Sequence, residues 1–106
     1  MGRAAALEAL LAKGQDNALL RFSLGSEYLN AGDPRAAILH LERAVAQDPG
    51  YSAAWKLLGK AHIAQGDDAG ARQAWEQGIA AAARRGDRQA EKEMTVFLRR
   101  LDKDQP

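Results

Sequence analysis

Residues 18–51 read ALLRFSLGSEYLNAGDPRAAILHLERAVAQDPGY, and residues 52–85 read SAAWKLLGKAHIAQGDDAGARQAWEQGIAAAARR. The two blocks are equal in length and lie end to end. Superposed, they share Leu24 with Leu58, Gly25 with Gly59, Gly32 with Gly66, Asp33 with Asp67, Ala37 with Ala71, Glu42 with Glu76 and Ala46 with Ala80. A period of about 34 residues marks a stack of helical units. Each such unit buries its apolar face against a neighbour, and stacks of this kind present extended surfaces for binding.

Working outward, the pattern predicts six helices. The first spans 3–14, with Leu7, Leu10 and Leu11 as its stripe and Gly14 as its stop. One period forward, Leu7 falls on Leu41, Glu8 on Glu42 and Ala12 on Ala46, so this helix reads as the second half of a worn repeat. The second helix follows Asp16 and Asn17, both good N-caps, and sets Leu20, Leu24, Tyr28 and Ala31 on one face. Asp33-Pro34 opens the third, which points Ala37, Leu41, Ala44 and Val45 inward until Asp48-Pro49-Gly50 breaks it. The fourth runs from Tyr51 to Gln65 with Trp55, Leu58, Gly59 and His62 on its packing side. The fifth runs from Asp68 to Arg85 with Ala71, Trp75, Gly78 and Ile79 inward. Gly86 stops it, and Asp87 caps a last helix over 87–103 that aligns Ala90, Met94, Phe97, Leu98 and Leu101. The polar tail from Lys103 to Pro106 is expected to fray.

No linker interrupts the chain, so residues 1–106 read as a single domain: an N-terminal helix, repeats at 18–51 and 52–85, and a C-terminal capping helix. Hydrophobic residues make up 46% but aromatics only 6%, which suits close-packed Ala-rich helices better than a bulky β core. The net charge of +1 predicts no strong field toward nucleic acid or anionic lipid. With no cysteine, a disulfide scaffold, a thiolate metal site and a Cys nucleophile are excluded. The run from Ala4 to Ala12 is too short to span a membrane and lacks a signal-peptide layout, and Ala6 stands where an acylation signal wants Ser or Thr. The expectation is a cytoplasmic protein.

The order Trp55, Leu58, Gly59, His62, Ala71, Trp75, Gly78 in one block, and Leu24, Gly25, Tyr28, Ala37, Leu41, Ala44, Pro49 in the other, resembles the tetratricopeptide repeat family. As a whole the chain is similar to small stand-alone bacterial proteins of that family. The resemblance implies an all-α fold, an α-α superhelix of two helix hairpins with flanking caps. Arg21 replaces the first repeat's opening aromatic, His62 replaces Tyr, and Ala83 replaces the closing Pro, so the fifth helix is expected to run a turn longer. The resemblance also implies a non-catalytic protein-binding module with a groove lined by the first helix of each repeat. Its unpatterned side carries Phe22, Ser26 and Leu29 in one repeat and Lys56, Lys60 and Ile63 in the other. Lys56 and Lys60, one turn apart, should project together and suit a peptide with an apolar anchor and a carboxylate. One subclass of the family clamps chaperone C-termini with Lys and Asn over three repeats. Phe22 and Ser26 stand at the first of those positions and no third repeat follows, so that function is not implied.

Nothing in the residue pattern announces chemistry. His40 and His62 have no metal-ligand spacing around them. His62 reads as a core histidine with a hydrogen-bond partner, and His40 as a partly exposed surface residue. Asp33, Asp67 and Asp87 precede helices and read as caps, and the glycines follow the repeat instead of clustering into a phosphate loop. Arg84, Arg85 and Arg88, and Arg99 with Arg100, read as helix-terminal and solvated charges. The expectations are no enzyme, no cofactor, no metal, no nucleic acid and no membrane, with a protein or peptide as partner. The competing expectation is self-association, a homodimer stacked through Phe97, Leu98 and Leu101, because about three repeats are normally needed for a continuous core.

Overall fold

The computed structural model describes residues 2–104. Six helices follow one another: α1 (Arg3–Ala12), α2 (Ala18–Asn30), α3 (Pro34–Gln47), α4 (Ser52–Ala64), α5 (Asp68–Arg85) and α6 (Arg88–Asp104). No strand occurs among the described residues. Of the polar tail, Lys103 and Asp104 are helical, while Gln105 and Pro106 lie outside the described residues.

Local chemistry sets the helix ends. Asn17 Oδ1 accepts from Leu20 N at 2.9 Å, Asp33 Oδ1 from Ala36 N at 3.2 Å, Asp67 Oδ1 from Gly70 N at 2.9 Å, and Asp87 Oδ1 from Ala90 N at 3.2 Å. Each bond satisfies an N–H that the first helical turn leaves without a partner, and such a cap contributes about 1 kcal/mol. Asp16, the other candidate cap of α2, turns to Arg21 instead. With Ala83 in place of a closing proline, α5 reaches 18 residues against 14 for α3. It stops at Gly86, whose φ of 72° is left-handed backbone that a side chain disfavours.

Consecutive helices pack as antiparallel pairs. The close fit within α2–α3 and α4–α5 depends on Gly25 and Gly59. A Cβ at position 25 would come within 2.5 Å of Leu41 Cγ, and one at position 59 would overlap the Trp75 indole. Two apolar clusters result. Ala37, Leu41, Ala44, Val45, Ala54, Leu58, Ala61 and Ala74 form one, and Ala71, Trp75, Ala82, Ala90, Met94 and Leu101 the other. Leu24, Leu41 and Met94 are the largest side chains wholly removed from solvent, each stabilising by about 1.5–3 kcal/mol. The half-buried Trp55 packs against both clusters and joins them. Ala31, placed on the inner face of α2 by periodicity, is instead its exposed C-terminal cap.

The helices form two layers. Along one layer α2 touches α4 and α4 touches α6; in the other, α3 and α5 do not meet among the described residues. Helices that touch on one side and part on the other curve the stack, with α2, α4 and α6 on the inside. The slab measures 44 × 29 × 18 Å.

Candidate functional site

On the inner layer the structure divides the six expected groove residues. Phe22 and Leu29 are half-buried and pack against the first core cluster; the Phe22 ring also meets Tyr51, centroids 5.1 Å apart. Ser26 lies on the same helix, half-buried. Lys56 and Lys60 do leave α4 on one side, as their spacing requires, but each meets α6. Lys56 Nζ donates to Glu93 Oε1 at 2.8 Å, and that ammonium holds the Glu93 carboxyl below its ordinary range. Lys60 Nζ stands 5.2 Å from the centroid of Phe97, over the ring's negative face. Ile63, 41% exposed, borders a pocket of about 170 Å³ lined by Trp75, Phe97, Arg100, Leu101 and Asp104. The arrangement is an apolar slot with Lys60 and Arg100 at its edges. It offers a place for an apolar side chain, with the Asp104 carboxylate also on its lining.

The stripe expected to mediate self-association is used inside the chain. Leu101 is buried, Phe97 and Leu98 pack against the second core cluster, and the Phe97 ring lies 5.2 Å from that of Trp75. The stripe therefore serves as the cap on α5.

Both histidines depart from expectation. His40 is buried, 5% exposed, and belongs to a polar network that ties α1, α2 and α3 together. Arg21, itself 9% exposed, donates from Nε and NH2 to the two oxygens of Asp16, each at 2.8 Å, and its NH1 lies 3.1 Å from His40 Nδ1. A guanidinium only donates, so Nδ1 accepts, and the imidazole proton is assigned to Nε2. That nitrogen faces Glu8 Oε2 at 3.6 Å, and the same oxygen accepts the Tyr28 hydroxyl at 2.6 Å. The Tyr28 ring stacks on the imidazole, centroids 5.5 Å apart and nearly parallel. Burial pushes the His40 pKa down, Glu8 draws it up and Arg21 presses it down further; the hydrogen bond to Glu8 raises that of Tyr28. Bonds from Arg21 and then Gln47 hold Asp16 far below the usual carboxylate range. His62, in turn, has a mostly covered side chain, but its Nδ1 makes no hydrogen bond. It lies 3.2 Å from Asp67 Oδ2 without the geometry of one.

Sequence reasoning missed this network, although a signal was present. His40 lies three residues after Ala37 and four before Ala44, on the stripe that α3 buries. Arg21 occupies a position where the repeat wants an aromatic, and a cation there must bring its own anion. Among the described residues no cluster of His, Cys, Asp and Glu could hold a metal ion, and no helix is long and apolar enough to cross a membrane.

Comparison with known proteins accords with this architecture. The sequence model described as tetratricopeptide repeat matches residues 22–87. A TPR repeat-containing protein of Pseudomonas aeruginosa is 71% identical over 97 residues, which cover 92% of this chain and 92% of that protein. The solution structure of a protein from Bordetella parapertussis superposes with a TM-score of 0.85 at 55% identity, covering 98% of this chain and 90% of that one.

Proposed function

This chain belongs to the tetratricopeptide repeat family, and from that premise we propose that its α2–α4–α6 layer holds a peptide or a helix of another protein. Repeats of this family generally mediate contacts between proteins, and its members are typically non-catalytic scaffolds. What favours the inner layer here is the exposed Ile63 at the mouth of the Phe97–Leu101 pocket, which Arg100 and Asp104 also line, with Lys60 over the Phe97 ring. An apolar anchor from the partner enters that pocket, and a partner carboxylate meets the neighbouring cations. Phe22, Ser26 and Leu29 extend the track along α2. Lys56 takes a lesser part, since a partner anion would have to displace Glu93 from it.

Capture from an extract of the source cells tests the reading. Wild-type protein should retain a defined partner, and Lys60→Glu combined with Ile63→Ser should release it while leaving the helical circular-dichroism spectrum intact. Equal capture by the folded double variant would place the contact elsewhere. Self-association finds less support, because Phe97, Leu98 and Leu101 already pack within the chain. Light scattering showing a monomer at high concentration would dispose of it.

A further inference from the structure

On the outer layer, α3 and α5 stand apart over α4 and leave a cleft of about 310 Å³. Trp55 and Leu58 reach it from a different side of α4 than the one bearing Lys56, Lys60 and Ile63, as a turn of about 3.6 residues requires. The floor is Val45, Leu58 and Ala74, all buried. Trp55 makes a wall, and its ring is held in place because Nε1 donates to Pro49 O at 2.8 Å. Glu42 from α3 and Gln73 and Gln77 from α5 form an exposed polar rim, the two glutamines one helical turn apart.

The charge at this rim is unbalanced. Glu42 is the one carboxylate lining the cleft, and it enters no ion pair among the described residues. Among the described residues no lysine or arginine lines the cleft; on α5, Arg72 pairs with Asp102 of α6 and Arg85 with Asp48.

We propose that this outer cleft seats an arginine side chain of a partner protein, with the guanidinium on Glu42 and its stem against Trp55 and Val45. A carboxylate accepts two parallel N–H bonds from a guanidinium, and the Gln73 and Gln77 side-chain oxygens can accept from its remaining donors. The aliphatic stem covers the apolar floor, and the flat cation can lie on the indole face. An acidic side chain would meet Glu42 with like charge. A purely apolar one would strip water from a carboxylate and two amides without replacing those bonds. This inference does not depend on the inner-layer reading, since the two sites share no residue.

The test uses the full chain, labelled with nitrogen-15, and the tripeptide acetyl-Ala-Arg-Ala-amide. Saturable shifts are expected at the amides of Glu42, Gln73 and Gln77 and at the Trp55 indole N–H. The same peptide with citrulline, which keeps the shape but not the charge, should bind about five- to tenfold more weakly, as should the arginine peptide to Glu42→Gln. Position 42 is exposed, so the substitution leaves the core untouched. Equal binding of the two peptides, an undiminished response in Glu42→Gln, shifts gathered around Lys60 and Ile63, or no saturable shift would each overturn the proposal.

Discussion

Gly59→Ala sets two effects of opposite sign against each other. Alanine is favoured over glycine by about 1 kcal/mol in a helix interior, so propensity alone makes this substitution stabilising. Position 59, however, is buried, and the added methyl would overlap Nε1, Cε2 and Cδ1 of Trp75. That ring has little room to yield. It is 4% exposed, its Nε1 donates to Lys56 O at 3.0 Å, and the Phe97 ring lies against it with centroids 5.2 Å apart. Overpacking a filled core costs about 1–3 kcal/mol, and loss of the indole hydrogen bond adds about 1 kcal/mol. Set against the propensity gain, the net is about 1–3 kcal/mol of destabilisation, a fall in Tm of roughly 5–20 °C for a domain of this size. Urea titration and thermal melting followed by circular dichroism measure it. In a Trp75→Leu background, which has no side-chain atom beyond Cδ and so removes Nε1 and Cε2, the same substitution should cost at least about 1 kcal/mol less. A Gly59→Ala protein as stable as its parent would refute the claim that this glycine sets the spacing of α4 and α5. An equal penalty in both backgrounds would clear Trp75 of being the obstacle.

Two further predictions follow from the network and from the joint between the cores. His40 has its pKa lowered from about 6.5 when folded, so below that pH the unfolded chain binds the extra proton; this part of the stability is complete above pH 6.5 and is lost as pH falls toward the folded value. The urea midpoint should decline between pH 7 and pH 5 and decline less in His40→Gln, which keeps an acceptor for Arg21; parallel pH profiles would remove His40 as the cause. Trp55→Ala should uncouple the two apolar clusters and leave Trp75, in the second, as the one tryptophan. Its fluorescence should then unfold at a different urea concentration from the circular-dichroism signal, whereas coincident transitions would show the cores joined by other contacts.

Spacing alone carries the helices and most of the core, because a repeat states each constraint twice. The pairs Leu24/Leu58 and Gly25/Gly59 lie in the same setting in both hairpins, and all four are buried. The caps Asp33 and Asp67 bond to the third residue on in both repeats. What occurs once is harder to see. Arg21, His40, Glu8 and Asp16 have no counterparts forming a second such network, and their meeting depends on how α1 lies on α2 and α3. Periodicity could have placed His40 inward, but it could not have supplied Arg21 as its neighbour across 19 residues. The proposed groove is legible as a helix face and not as a set of free side chains. Spacing on α4 puts Lys56 and Lys60 together, while the path of α6 decides that one meets Glu93 and the other Phe97.

That path also explains how two repeats suffice. An array this short would expose the apolar side of α5, and α6 covers it. Ala90, Met94 and Leu101 are buried there, with Met94 against Gly78, where a side chain on α5 would block the approach. The same helix turns Glu93 and Phe97 toward α4. Both faces belong to one rigid element, so sealing the core and shaping the groove cannot be separated. A ligand that took Lys56 from Glu93 would act against the cap that completes the fold, whereas one seated on Lys60, Arg100 and the pocket beside Ile63 would leave that cap in place. On the proposed inner-layer reading, the slot beside Ile63, edged by Lys60, Arg100 and Asp104, is therefore the part a partner occupies without taking Lys56 from Glu93.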